Sequence, residues 1–277
     1  MIQFSEYNRV LPLRPQQLSA GIHQLLAFLI NLIGQENLVI FIEHPEQHLH
    51  PHGMRFLFSI IQSASTRNQI VITTHDPHFV SSETIEGLPR AWWVGSGSQI
   101  RGANRGDLTT KQLAQIQTVF RILGNREAVF ARSVILVENE SQQLCVLGVA
   151  ATLGFQLDAN GVSVIPVGGE TGYPPFFTLL DTLAVPYVCL KDKSWDRRTY
   201  PADRFFSFGC ELEDYLDKQA LSREREAVVM EVGTSKPRVA AELARRLKAV
   251  QVPNLFSELL QAAFDLATSE PADARPL

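Results

Sequence analysis

Apolar residues recur at helical spacing through AGIHQLLAFLINLIG, residues 20–34, and then give way to two short unbroken apolar runs, LVIFIE and QIVITTH. Such runs predict strands buried on both faces of a parallel sheet, with helices as crossovers. The pattern breaks at WWVGSGSQIRGANRGD, Trp92 to Asp107, where glycines and polar residues predict a loop or edge hairpin and a domain boundary. A helix over 108–123 is expected next. The alternation then restarts with SVILVE, a helix through QQLCVLGVAATLGF, the run VSVIPV, a helix after YPPFF, and PYVCLKD. CELEDYLD and a helix KPRVAAELARRLKAV follow, the latter with Val239, Leu243 and Leu247 on one face. The last residues, SEPADARPL, read as a frayed tail. The expected fold class is α/β. The expected division is 1–106, a connecting helix over 107–126, and a second α/β domain over 127–277.

Composition narrows the class. With 45% hydrophobic and 19% charged residues the chain of 277 residues is globular and long enough for two domains. A formal net charge of -4 gives no overall attraction for nucleic acid, so a polyanion would need a local basic patch. Cys145, Cys189 and Cys210 lack CxxC spacing and cannot all pair, which points to a reducing interior and a cytoplasmic protein. The opening MIQFSEYNRVLPLRP does not read as a signal peptide, LLAFLINLI is too short to span a bilayer, and no membrane role is expected.

Chemistry concentrates first in FIEHPEQHLHPHG, Phe41 to Gly53. LVIFIE delivers Glu43 to the carboxyl edge of a parallel sheet, where ligands bind, and Pro45 is expected to start a helix. A carboxylate there can hold a hydrated magnesium near a phosphate. The competing reading, zinc on His44, His48, His50 and His52, needs three or four converging ligands, and Pro51 interrupts their alignment. Together with LSAGIHQLLAFL before it and VITTHDPHF after it, the stretch resembles the signature, Walker B and switch-histidine motifs of ABC-type ATPases, and most of all those of the OLD (overcoming lysogenisation defect) nucleases. The resemblance implies that Ser19 and Gly21 contact a γ-phosphate from a helix N-terminus, that Glu43 takes the place of the metal-holding acid, and that His75 is the switch histidine. His44 stands where the family has its water-activating glutamate, and no G-x-x-x-x-G-K-[ST] occurs in the sequence. ATP is therefore expected only with a partner lobe or subunit that carries Walker A, and little ATPase activity is expected of this chain alone; a truncated product and a natural split subunit both fit.

The second constellation is VILVENESQQL, ending a strand on Glu138, and CLKDKSWD, ending another near Asp192. Adjacent strand ends can bring such carboxylates close enough to share a divalent ion. The ordered set resembles an OLD-like Toprim (Rossmann-like) domain. That likeness implies Mg2+ or Mn2+ held by Glu138, Asp192, Glu211 and Glu213, with Glu138 and Lys236 catalytic. Asn139 and Gln142 replace a glycine and a second glutamate of the family pattern. Either Ser194 replaces the second acid of its DxD, or Lys191 replaces the first. Lys191, Lys193, Arg197 and Arg198 beside this edge, and Arg238, Arg245, Arg246 and Lys248 further on, are candidate phosphate contacts, with Arg197 and Arg198 foremost. Trp195 would stack on a base or pack internally. The resemblance implies a metal-dependent DNA endonuclease or a degenerate nuclease subunit, a homo-oligomer, and a role in phage defence. The alternative is a non-catalytic protein that docks an ATPase and binds nucleic acid.

Overall fold

A computed structural model describes residues 2–6, 9–13, 18–85, 87–94, 97–102, 106 and 108–269; the tail beyond 269 lies outside them. The chain forms two compact units, Met1–Val80 and Ser81–Leu277. The glycine-rich stretch that suggested a boundary at 106 falls inside the second unit.

In the first unit, β1 (Ile2–Glu6) and β2 (Arg9–Leu13) make an antiparallel hairpin, and α1 (Ala20–Ile33), β3 (Val39–Glu43), α2 (Pro51–Ser65) and β4 (Gln69–Thr73) follow. β3 and β4 pair in parallel, with Glu43 opposite Thr73. Period-two alternation sends Ile40, Ile42, Ile70 and Ile72 into a core with Leu32, Leu57, Ile61 and Phe79. The same alternation leaves Val39, Phe41 and Val71 exposed on the other face. The unbroken apolar runs predict burial on both faces, and here one face is covered. Pro45 does not start a helix. His44 and His48 take φ of 45° and 59°, which curls the segment into a turn. The helix begins at Pro51, where the fixed proline φ suits a first position, and the His50 imidazole caps it by accepting from His52 N–H at 3.1 Å.

The second unit opens with α3 (Ser82–Ile85), the antiparallel hairpin β5 (Pro89–Val94) and β6 (Gly97–Gly102), and α4 (Thr110–Val119). The helix expected over 108–123 stops at Val119, with Phe120 as its C-cap, and a 3-10 segment, Leu123–Val129, follows. Then come β7 (Ser133–Val137), α5 (Glu140–Leu153), α6 (Leu157–Asn160), β8 (Val162–Pro166), α7 (Tyr173–Thr182), β9 (Tyr187–Lys191) and β10 (Phe205–Ser207). The chain continues through α8 (Leu212–Leu216), α9 (Ser222–Val232), α10 (Lys236–Arg246) and α11 (Asn254–Thr268). The strands form one parallel sheet in the order β10-β9-β7-β8.

Every residue of β7 is buried, as its unbroken apolar run requires of a central parallel strand. Ile135, Val137, Val188 and Leu190 pack against α5, α10 and α11 through Val146, Val149, Leu243, Phe256 and Leu260. Val239, Leu243 and Leu247 are all buried, on the face their spacing marks. α5 and α10 cross so closely that a Cβ on Gly148 would lie 2.6 Å from the Ala244 methyl. α11 is tied to the sheet by the buried Ser133 hydroxyl, which donates to the Ala263 carbonyl at 2.7 Å. Because the chain leaves β7 for β8 on one side and reaches β9 on the other, the carboxyl ends of β7 and β9 border a topological switch point, the place where open α/β sheets bind ligands.

Candidate functional site

Glu138 leaves β7 and Asp192 leaves β9 at that switch point, where the last paired residues are Val137 and Leu190. The Asp192 backbone N–H donates to Glu138 Oε2 at 3.2 Å, so the two acids stand side by side. Gln142 closes the arrangement. Asn139 caps α5 by accepting from Gln142 N–H at 3.1 Å, and this sharp entry brings Gln142 back over the strand ends. Its amide oxygen accepts from Glu138 N–H at 2.9 Å and its amide nitrogen donates to Asp192 Oδ1 at 2.8 Å. The side chain is fully buried and spends both ends on this clamp.

The Asp192 carboxyl is pushed up to about 6. Burial is the main cause, the Glu138 charge adds to it, the Gln142 hydrogen bond opposes it, and the Glu213 and Glu211 charges raise it further. The pair is therefore short of positive charge, and its oxygen donors suit a hard divalent ion. Among the described residues no group of three or more histidine, cysteine or acidic side chains converges to hold a metal. The amide N–H of Gln142 faces Asp192 where a second carboxylate would bind a cation.

Glu211 precedes α8, Glu213 sits in its first turn, and Lys236 opens α10. The Lys236 ammonium lies 3.2 Å from Glu211 and 3.5 Å from Glu213. The hydrogen bond to Glu211 and the charge of Glu213 hold its pKa above the usual lysine value. Glu138, Glu211 and Glu213 thus all act on Asp192.

Sequence left open whether Lys191 or Asp192 begins the acidic motif, and the structure places Asp192 beside Glu138. Lys191 follows Tyr187 and Cys189 onto the opposite face of β9. Its ammonium is buried 4.3 Å over the Trp195 ring and bonds Glu170 at 3.0 Å. Lys193 reaches the same carboxylate at 3.4 Å. Glu170 was not singled out from sequence; the available signal was an acid placed directly after the two glycines that end VSVIPVGG. Trp195 packs internally, its indole N–H donating to the Phe206 carbonyl at 2.6 Å among Tyr173, Phe177, Tyr200 and Phe205. It does not present a face for base stacking. Arg197 donates to the Phe205 carbonyl at 2.7 Å, and Arg198 is exposed. Arg245 and Arg246 pair with Glu242, and Arg246 also with Glu231, so these charges are already matched.

In the first unit, Glu43 ends β3 exposed at the carboxyl edge, and His75 lies just past the end of β4 on that edge. His44 and His75 rings stack with centroids 5.1 Å apart. Glu46, not singled out from sequence, joins the two loops by accepting from His44 Nδ1 at 3.3 Å, Thr74 Oγ1 at 3.0 Å and His75 N–H at 3.2 Å. Ser19 caps α1, its hydroxyl accepting from Ile22 N–H at 3.4 Å. Gly21 is buried under the histidine loop, and a Cβ there would lie 2.2 Å from the His48 carbonyl oxygen. Only glycine permits that approach.

Comparison with known proteins matches both halves. Residues 4–81 match a family described as "AAA domain, putative AbiEii toxin, Type IV TA system", and residues 129–193 match the overcoming lysogenization defect protein-like Toprim domain. The chain is 23% identical over 203 residues to the OLD nuclease of Thermus scotoductus, covering 69% of this chain and 38% of that protein. It is 19% identical over 163 residues to the Old nuclease of Escherichia phage P2, covering 57% and 28%. The chain thus spans well under half the length of these relatives. The solved C-terminal region of the Burkholderia pseudomallei OLD protein aligns at 22% identity with a TM-score of 0.43, covering 50% of this chain and 100% of that one. An AAA-type segment is thus followed by a segment similar to the Toprim domain of overcoming lysogenization defect proteins, the segment whose acids meet at the β7–β9 edge.

Proposed function

We propose that the second unit is a metal-dependent endonuclease site acting on DNA. The observation that carries this reading is the meeting of Glu138 and Asp192 at the switch point, where the Asp192 N–H bonds the Glu138 carboxylate. Glu138 and Asp192 hold one Mg2+ or Mn2+, an ion that would polarise the phosphodiester and its attacking water. Glu211 and Glu213 add negative potential around this pair and set the position of Lys236. Lys236, exposed beside these carboxylates, meets the charge that develops on the scissile phosphate. Gln142 fixes the spacing of the acidic pair and removes the ligand a second ion would need. One ion, a preference for manganese, which accepts poorer ligand sets, and slow cleavage follow.

Arg197 and Arg198 remain proposed backbone contacts for DNA, and Ser19, Gly21, Glu43 and His75 remain the proposed nucleotide edge. That edge functions only with a lobe that carries the phosphate loop. Homo-oligomerisation, a cytoplasmic location and a role against phage belong to this proposal, on family likeness. Calorimetric titration with manganese tests its core: one ion per chain is expected, lost in Glu138→Ala. Absence of any stoichiometric ion in the wild type would favour the non-catalytic reading, a protein that docks an ATPase and binds nucleic acid.

A further inference from the structure

Lys191 and Lys193 flank Asp192, and both ammonium groups converge on Glu170, at 3.0 Å and 3.4 Å. The partners differ in freedom. The Lys191 side chain is 9% exposed, its ammonium held over Trp195, whereas the Glu170 side chain is 47% exposed and rides on a short turn after the Gly168–Gly169 corner. A buried ammonium needs an anion, because leaving it unpaired away from water is costly. The carboxylate is the part able to leave; the lysine is not.

We propose that the Lys191–Lys193 pair is a seat for a phosphate group of the bound nucleic-acid backbone, filled by Glu170 until the nucleic acid displaces it. A phosphodiester carries the same single charge as the carboxylate and offers oxygens to both ammonium groups. The seat lies beside the acidic pair: Lys191 and Lys193 flank Asp192 in the chain, and Gly169, next to Glu170, donates its N–H to the Glu138 carbonyl at 2.8 Å. A phosphate brought next to Glu138 and Asp192 meets repulsion, and the fixed Lys191 and exposed Lys193, one residue away on either side of Asp192, offset it. The inference rests on the proposed action on DNA and adds to it how the strand is held and what must move first.

The test is binding of a fluorescein-labelled single-stranded oligonucleotide to the full chain in EDTA, measured by anisotropy over a range of potassium chloride. Without divalent ion the result is independent of whether the chain cleaves, so failure of the seat and failure of the nuclease reading are separable. Glu170→Gln should tighten binding at least fivefold and steepen the logarithmic salt dependence by about 0.7, the slope of one added single-strand phosphate contact. Lys193 is 78% exposed, so Lys193→Gln does not disturb packing and carries the test even if Glu170→Gln unfolds. It should weaken binding about threefold and flatten the slope by a similar amount. Affinities within twofold of wild type and unchanged slopes in these variants would overturn the proposal. If inorganic phosphate binds Glu170→Gln by calorimetry while the oligonucleotide is indifferent, the seat serves free phosphate and the assignment to a nucleic-acid backbone is overturned.

Discussion

Replacing Asp192 with asparagine should make the metal-free protein melt at a higher temperature at pH 7.5. The carboxyl rises from 3.8 to about 6 mainly through burial and secondly through the Glu138 charge. At about 1.4 kcal/mol per pH unit this corresponds to a ceiling of about 3 kcal/mol, and solvent screening of a half-buried group leaves about 1–2 kcal/mol. A carboxyl whose folded pKa lies above its unfolded value favours the fold while protonated. That contribution is complete below about pH 4 and is lost as the pH rises through about 6. Wild type should therefore lose stability across this window when metal is absent. Asp192→Asn should not, and it keeps an oxygen to accept the Gln142 N–H. For a unit of this size 1–2 kcal/mol is worth about 2–8 °C. Differential scanning fluorimetry in EDTA from pH 4.5 to 7.5 reads the effect, and manganese should restore the wild type but not the variant. A variant that melts at or below wild type at pH 7.5, or whose advantage is as large at pH 4.5, would show that the Asp192 charge does not strain the metal-free fold.

Other outcomes follow from the same geometry. Gln142→Glu exchanges the amide N–H on Asp192 for a carboxylate, so manganese should bind at least tenfold more tightly by calorimetry, while the metal-free variant melts lower. Lys236→Ala should lower any nicking rate about a hundredfold, yet shift the melting temperature little, because its ion pairs are exposed and such pairs are worth at most about 1 kcal/mol. Gly21→Ala places a methyl against the His48 carbonyl and should destabilise the first unit by about 1–3 kcal/mol, visible as faster limited proteolysis. ATP titrated into the chain alone with magnesium should show no micromolar binding and no turnover.

The strand-end acids were legible because a buried parallel strand announces itself as an apolar run and its next residue must stand at the ligand edge. Glu138 and Asp192 were found that way, and both occupy that edge. Lys191 and Asp192 are told apart only by the pleat: they point to opposite faces, Lys191 toward Glu170 and Asp192 toward Glu138. Glu170 and Glu46 escaped notice because each acts from a loop, where no periodicity marks which way a side chain turns. β10 is a strand of three residues, too short for an alternation to register. The helix expected at Pro45 failed because the left-handed backbone of His44 and His48 is a property of the loop packed on Gly21 and not of local propensity. The two-sided burial expected of β3 and β4 is met on one face, where the crossover helix α2 covers isoleucines that alternate with exposed valine and phenylalanine.

The measurement that tests the central claim most directly is conversion of supercoiled plasmid to open circles by the purified chain in manganese, compared with EDTA. Slow, manganese-dependent nicking is expected, abolished by Glu138→Ala and by Asp192→Ala while circular dichroism stays unchanged, and accelerated by Gln142→Glu. No nicking at high protein concentration from either the wild type or Gln142→Glu, or nicking that survives Glu138→Ala, would contradict that claim.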